Sequence, residues 1–83
     1  MYGNTDAGIK ARIEKDIAMF DTNIRDIKAN PADKGASRVL ALSRMYASDA
    51  RSYLDKGDMY TSFSCISYAH GLLDAIRTIA GVI

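Results

Sequence analysis

The stretch SCISYAHGLLDA, residues 64–75, holds the only cysteine and the only histidine of the chain, with two serines and a tyrosine. On a helix Ser67, His70 and Asp74, separated by three and four residues, share one face. Those residue types suit nucleophilic chemistry: a histidine takes the serine proton and a carboxylate fixes the histidine tautomer. His70 and Asp74, with Asp49 as a third donor, are also the beginnings of a metal site. Neither reading goes far. A single regular helix offers no oxyanion hole, because its mid-helix N–H groups are already bonded to carbonyls. One histidine among carboxylates is a poor zinc set, since structural zinc sites usually draw on several Cys or His. A hydrogen-bond network that fixes helix register explains the same residues better. Misalignment there would leave a buried polar group unpaired, at a cost of roughly 1–3 kcal/mol. The expectation is therefore of no catalytic residue, no bound cofactor and no metal site.

Two neighbours in this stretch raise their own questions. Cys65 stands alone, so no intrachain disulfide forms. No nearby residue in the sequence carries the positive charge that would lower its pKa, which marks a boundary residue rather than a redox centre. Gly71 sits where alanine would favour a helix by about 1 kcal/mol. A close approach of helix one explains the glycine; a ligand lying on it is the functional alternative.

Three helical segments must position these groups. In the first, Ile9, Ile13, Ile17, Phe20, Ile24 and Ile27 recur at spacings of four and three, one apolar stripe along a helix. Asp21 and Arg25 sit four apart with the acid first, the favoured order for a surface pair. Asn4 or Thr5 suits its N-cap. Pro31 breaks the pattern and leaves Asn30 or Asp33 to cap the second helix. That helix places Val39, Tyr46 and Tyr53 at sevens with Leu40, Ala47 and Leu54 beside them, and Leu42, Met45 and Ala50 widen the stripe. Gly57 fits the left-handed residue that closes a helix, and Asp58 the N-cap of the next. On the third helix Phe63, Ile66, Leu73, Ile76 and Ala80 form a stripe, with Leu72 and Ile79 beside it. The expected architecture is all-α, a three-helix up-and-down antiparallel bundle, with helices at about 5–29, 31–56 and 58–81 of a single domain spanning 1–83.

A hairpin hinged at Gly57 pairs residues whose numbers sum to about 114. Asp49 then lies near Cys65 or Ile66, Tyr46 near Tyr68, and Met45 near Ala69. The hairpin is expected to gather Tyr46, Asp49, Ser67, His70 and Asp74 in one polar cluster.

The segment YASDARSYLDKGDMYTSFSCISYAHGLLDA, residues 46–75, resembles the archaeal domain-of-unknown-function 357 family. The resemblance rests on Tyr46, Asp49 and Ala50, the turn Gly57–Asp58, then Ile66, Ser67, Tyr68, Ala69, Gly71, Leu73, Asp74 and Ala75. It implies a three-helix bundle and an archaeal source. Members that look attached to a cytidylyltransferase-like domain suggest a nucleotide- or RNA-linked accessory role. The family brings no catalytic residue to carry over.

Composition narrows the classes further. At 83 residues the chain buries only about 60–65% of its unfolded surface, so its core is thin and self-association is one way to extend it. A formal charge of +1 with 25% charged residues gives no basic field, which argues against a nucleic-acid partner. No signal peptide and no membrane span of ~20 apolar residues is visible, so a soluble cytoplasmic protein is expected. Tyr60 and Tyr68, flanked by Arg44 and Arg51, form a candidate interaction surface. Val82 and Ile83 either close the core or enter a partner subunit. The function expected is a non-catalytic helical module that binds a protein partner or itself, as a homodimer in the latter case. The alternative is the nucleotide- or RNA-linked accessory domain.

Overall fold

The computed structural model describes residues 6–25, 27 and 34–81. Three helices account for them: α1 (Asp6–Ile24), α2 (Lys34–Asp55) and α3 (Met59–Ile79). No strand occurs among the described residues. The helices pack as an up-and-down three-helix bundle, with α2 and α3 the most intimate pair and α1 lying mainly on α3. The proposed caps Asn4, Thr5, Asn30 and Asp33 lie outside the described residues, as do Pro31, Val82 and Ile83.

The isoleucine stripe of α1 forms one wall of the core. Ile13, Ile17 and Phe20 are buried, with Ile9 and Ile24 packed partly against them. Burying each such side chain is worth about 1.5–3 kcal/mol. The helix ends at Ile24, earlier than its apolar pattern suggests, yet Ile27 just beyond is still buried. Its N–H bonds the Ile24 carbonyl three residues back, which tightens the chain and keeps the side chain inward. The early end also undoes the expected Asp21–Arg25 pair. Arg25 is no longer helical, and Asp21 pairs with Arg51 of α2 instead.

Small residues explain why α2 and α3 approach so closely. Leu40, Ser43, Ala47 and Ala50 are buried on α2, facing Ser62, Ile66, Ala69, Leu73 and Ile76 on α3. Neither serine stands out in the sequence, because serine is mostly an exposed residue. Both are satisfied. Ser43 Oγ donates to the Leu40 carbonyl at 2.7 Å. Ser62 Oγ crosses the hairpin to the Ala50 carbonyl at 2.6 Å and so ties its register.

The turn joining them is a Schellman motif. Asp58 N–H bonds the Tyr53 carbonyl at 2.9 Å, Gly57 N–H bonds the Leu54 carbonyl at 3.0 Å, and Gly57 has φ 82°. Asp58 then caps α3 by accepting from Thr61 N–H at 3.1 Å.

The apolar faces are wider than the core. Leu42 and Met45 of α2 are exposed, not part of the inward stripe, and so are Phe63 and Ile79 of α3 and Ala80 just after it. Among the described residues, α1 covers one side of the α2–α3 hairpin and the other side stays open.

Candidate functional site

The five polar residues expected to cluster are split by the bundle. His70 turns toward α1. Its Nε2–H donates to the Asp16 carbonyl at 2.7 Å. Its ring meets Phe20 edge-on, with centroids 5.8 Å apart at 82°. A carbonyl only accepts, so this bond places the proton of the neutral ring on Nε2. Tyr46 and Tyr68 meet on the opposite flank of α3, edge to face at 4.6 Å and 71°. Ser67, Asp74 and Asp49 are exposed. Asp74 pairs with Arg77 one turn along α3 at 3.6 Å. Register is as expected, since Tyr46 does face Tyr68. The cluster fails because α3 touches two neighbours, and residues two apart on a helix, Tyr68 and His70, point to different ones.

The arrangement is not that of a nucleophile and its base. Ser67 is exposed, while the Nε2 of His70 is committed to a backbone carbonyl of α1. Among the described residues no group of three or more His, Cys, Asp or Glu is placed to hold a metal ion.

Gly71 also departs from expectation. It is exposed, and a Cβ built on it would meet nothing within 4 Å. Among the described residues no helix packs closely against it.

The tyrosines and arginines of the candidate interaction surface separate as well. Tyr60 and Tyr68 are exposed on α3. Arg51 reaches Asp21 on α1, and Arg44 lies two turns before it on the same edge of α2. That edge lies next to α1, on the far side of α2 from the Tyr46–Tyr68 pair.

What the open side of the hairpin does present is an apolar surface. Leu42 and Met45 of α2 are exposed, and Tyr46 beside them meets Tyr68 of α3. Met45 is 61% exposed and Tyr68 52%. Tyr46, Ser64, Cys65 and Tyr68 line a shallow, open hollow of about 320 Å³. Burial pushes the Cys65 thiol pKa up, and the Asp49 and Asp58 carboxylates add to the effect. The signal for this surface was present in α2, whose apolar stripe is too broad to face only two neighbours.

A family model described as "Protein of unknown function (DUF357)" matches residues 15–82. The chain belongs to the DUF357 family. The matched span runs from within α1 to beyond α3, so it contains the His70–Asp16 contact, the Gly57 turn and the open hairpin face of this DUF357 chain. No curated protein matches it. No helix among its described residues is long and apolar enough to cross a membrane.

Proposed function

We propose that this DUF357 chain is a non-catalytic helical module of the cytoplasm that binds a protein partner, or a second copy of itself, through the open face of the α2–α3 hairpin. The observation that carries the reading is the solvent side of that hairpin. Leu42, Met45 and Tyr68 are exposed there around the Tyr46–Tyr68 pair. Along the whole of α3 the only charged residues are Asp74 and Arg77, and they neutralise each other. Surface helices in monomers carry charges on the face away from the core. Depletion of charge with exposed Tyr and Met is the compositional mark of an interface core. The exposed Ser67 and the carbonyl-bound His70 support the non-catalytic part.

The test pairs two variants with two measurements. Met45→Glu and Tyr68→Glu should leave helical circular dichroism intact. They should abolish whatever association wild type shows in light scattering or in affinity capture from its source cells. A wild-type monomer whose captured proteins are the same for both variants would sink the reading.

A further inference from the structure

We infer that the occupant of the open face is a second copy of the chain, docked about a two-fold axis that runs α2 antiparallel to its counterpart and sets Arg38 beside Asp49 of the other copy. The inference rests on the interaction reading above and names the partner.

The argument starts from four residues. Arg38, Leu42, Met45 and Asp49 follow one another at spacings of four, three and four, which keeps them on one stripe of α2. All four are exposed. The stripe reads cation, apolar, apolar, anion, and its spacing is the same from either end. A two-fold axis between Leu42 and Met45 therefore maps the stripe onto itself with the charges exchanged. Each Arg38 then meets an Asp49, and each Leu42 meets a Met45. An isologous contact requires this kind of self-complementarity.

The charges are available for it. Among the described residues neither Arg38 nor Asp49 has an ion-pair partner within its own chain. They lie roughly 16 Å apart along α2, at 1.5 Å per residue, too far to neutralise each other. The ion pairs seen among the described residues, Arg12 with Asp16, Asp21 with Arg51 and Asp74 with Arg77, lie off this stripe. A different protein could cover the apolar centre. Opposite charges at mirrored positions around that centre are what a second copy, in antiparallel register, needs.

The hollow beside the stripe supports the same docking. Tyr46 of α2 lines it together with Cys65 and Tyr68 of α3, so the apolar surface continues from α2 onto α3. Two such faces laid together would complete a four-helix layer at the centre of the dimer, with each α1 outside.

Charge reversal tests the register without depending on a single variant. Sedimentation equilibrium at low salt should give twice the 9.1 kDa chain mass for wild type. Arg38→Asp and Asp49→Arg should each weaken the dimer by at least about tenfold, since each reversal turns two attractions into two repulsions. Mixing the two single variants should restore a one-to-one dimer, because all the charges facing across the axis are again opposite. That recovery also shows that both variants fold. A chain that stays monomeric at millimolar concentration overturns the inference, and leaves the interaction reading to a different protein. A dimer lost on Met45→Glu but indifferent to both reversals keeps the face and overturns the antiparallel register. A dimer indifferent to all three substitutions overturns the inference and the reading on which it rests.

Discussion

His70 Nε2 lies 2.7 Å from the carbonyl oxygen of Asp16, and this one contact joins α3 to α1 at the middle of both helices. It comes with the edge-on packing of the same ring against Phe20. His70→Ala removes a hydrogen bond worth about 1 kcal/mol and an aromatic contact worth about 0.5–1.5 kcal/mol. The expected loss is about 2 kcal/mol, or roughly 10 °C in Tm for a domain of this size. His70→Gln, which keeps a donor amide, should lose less. Long-range 1H–15N correlation of the neutral ring should show Nδ1 unprotonated. A proton on Nδ1 would contradict the bond.

Gly71→Ala should stabilise the protein. The position is in α3, is exposed and has 4 Å of open space around the added methyl. Helix propensity alone then applies, and favours alanine by about 1 kcal/mol. Thermal denaturation measures it directly. A lower Tm for Gly71→Ala would mean that something occupies the space beside the glycine.

These two residues show where sequence reasoning reached and where it stopped. Period and punctuation sufficed for the three helices, because a helix repeats every 3.6 residues whatever it packs against. They sufficed for the Gly57 turn, whose φ of 82° only glycine adopts easily. The Tyr46–Tyr68 pairing followed from the turn's position. The partner of His70 did not, since a backbone carbonyl on α1 leaves no trace in the residue types. For Gly71 the residue types favour a close helix approach, with a ligand as the alternative, and only coordinates separate a crowded glycine from an exposed one. Leu42 and Met45 belonged to the apolar pattern of α2. Whether a third or a fourth helix covers that side is a property of the assembly, which periodicity does not encode.

Asp58 should give the hairpin a dependence on acid. The Thr61 side chain, then its backbone N–H, hold the carboxyl pKa below its ordinary value of 3.8. A depressed folded pKa means that the cap contributes fully above the unfolded value, and that its contribution is lost as pH falls through the folded one. Asp58→Asn keeps an N-cap acceptor that does not titrate, so its Tm should fall less steeply than that of wild type below pH 3.8. Asp58→Ala should lower Tm already at neutral pH, where Asp58→Asn stays close to wild type. Equal acid slopes for wild type and Asp58→Asn would remove Asp58 from the account.

Cys65 reports on the register of the hairpin through its reactivity. The thiolate is the reacting form, and burial raises the thiol pKa first, with Asp49 and then Asp58 adding repulsion. Alkylation at pH 8 and dilute protein should therefore run slower in the folded chain than in the same chain unfolded by urea. Asp49→Asn should speed it, but only part of the way, because the burial contribution stays. Asp58→Asn should speed it less. The ordering matters because Asp49 acts on Cys65 only if α2 and α3 pair as the Ser62–Ala50 bond fixes them. A slip of one residue would rotate each side chain about 100° around its helix and take the carboxylate away from the sulfur. No acceleration in Asp49→Asn would place the two helices in a different register and would undo the Tyr46–Tyr68 contact with it.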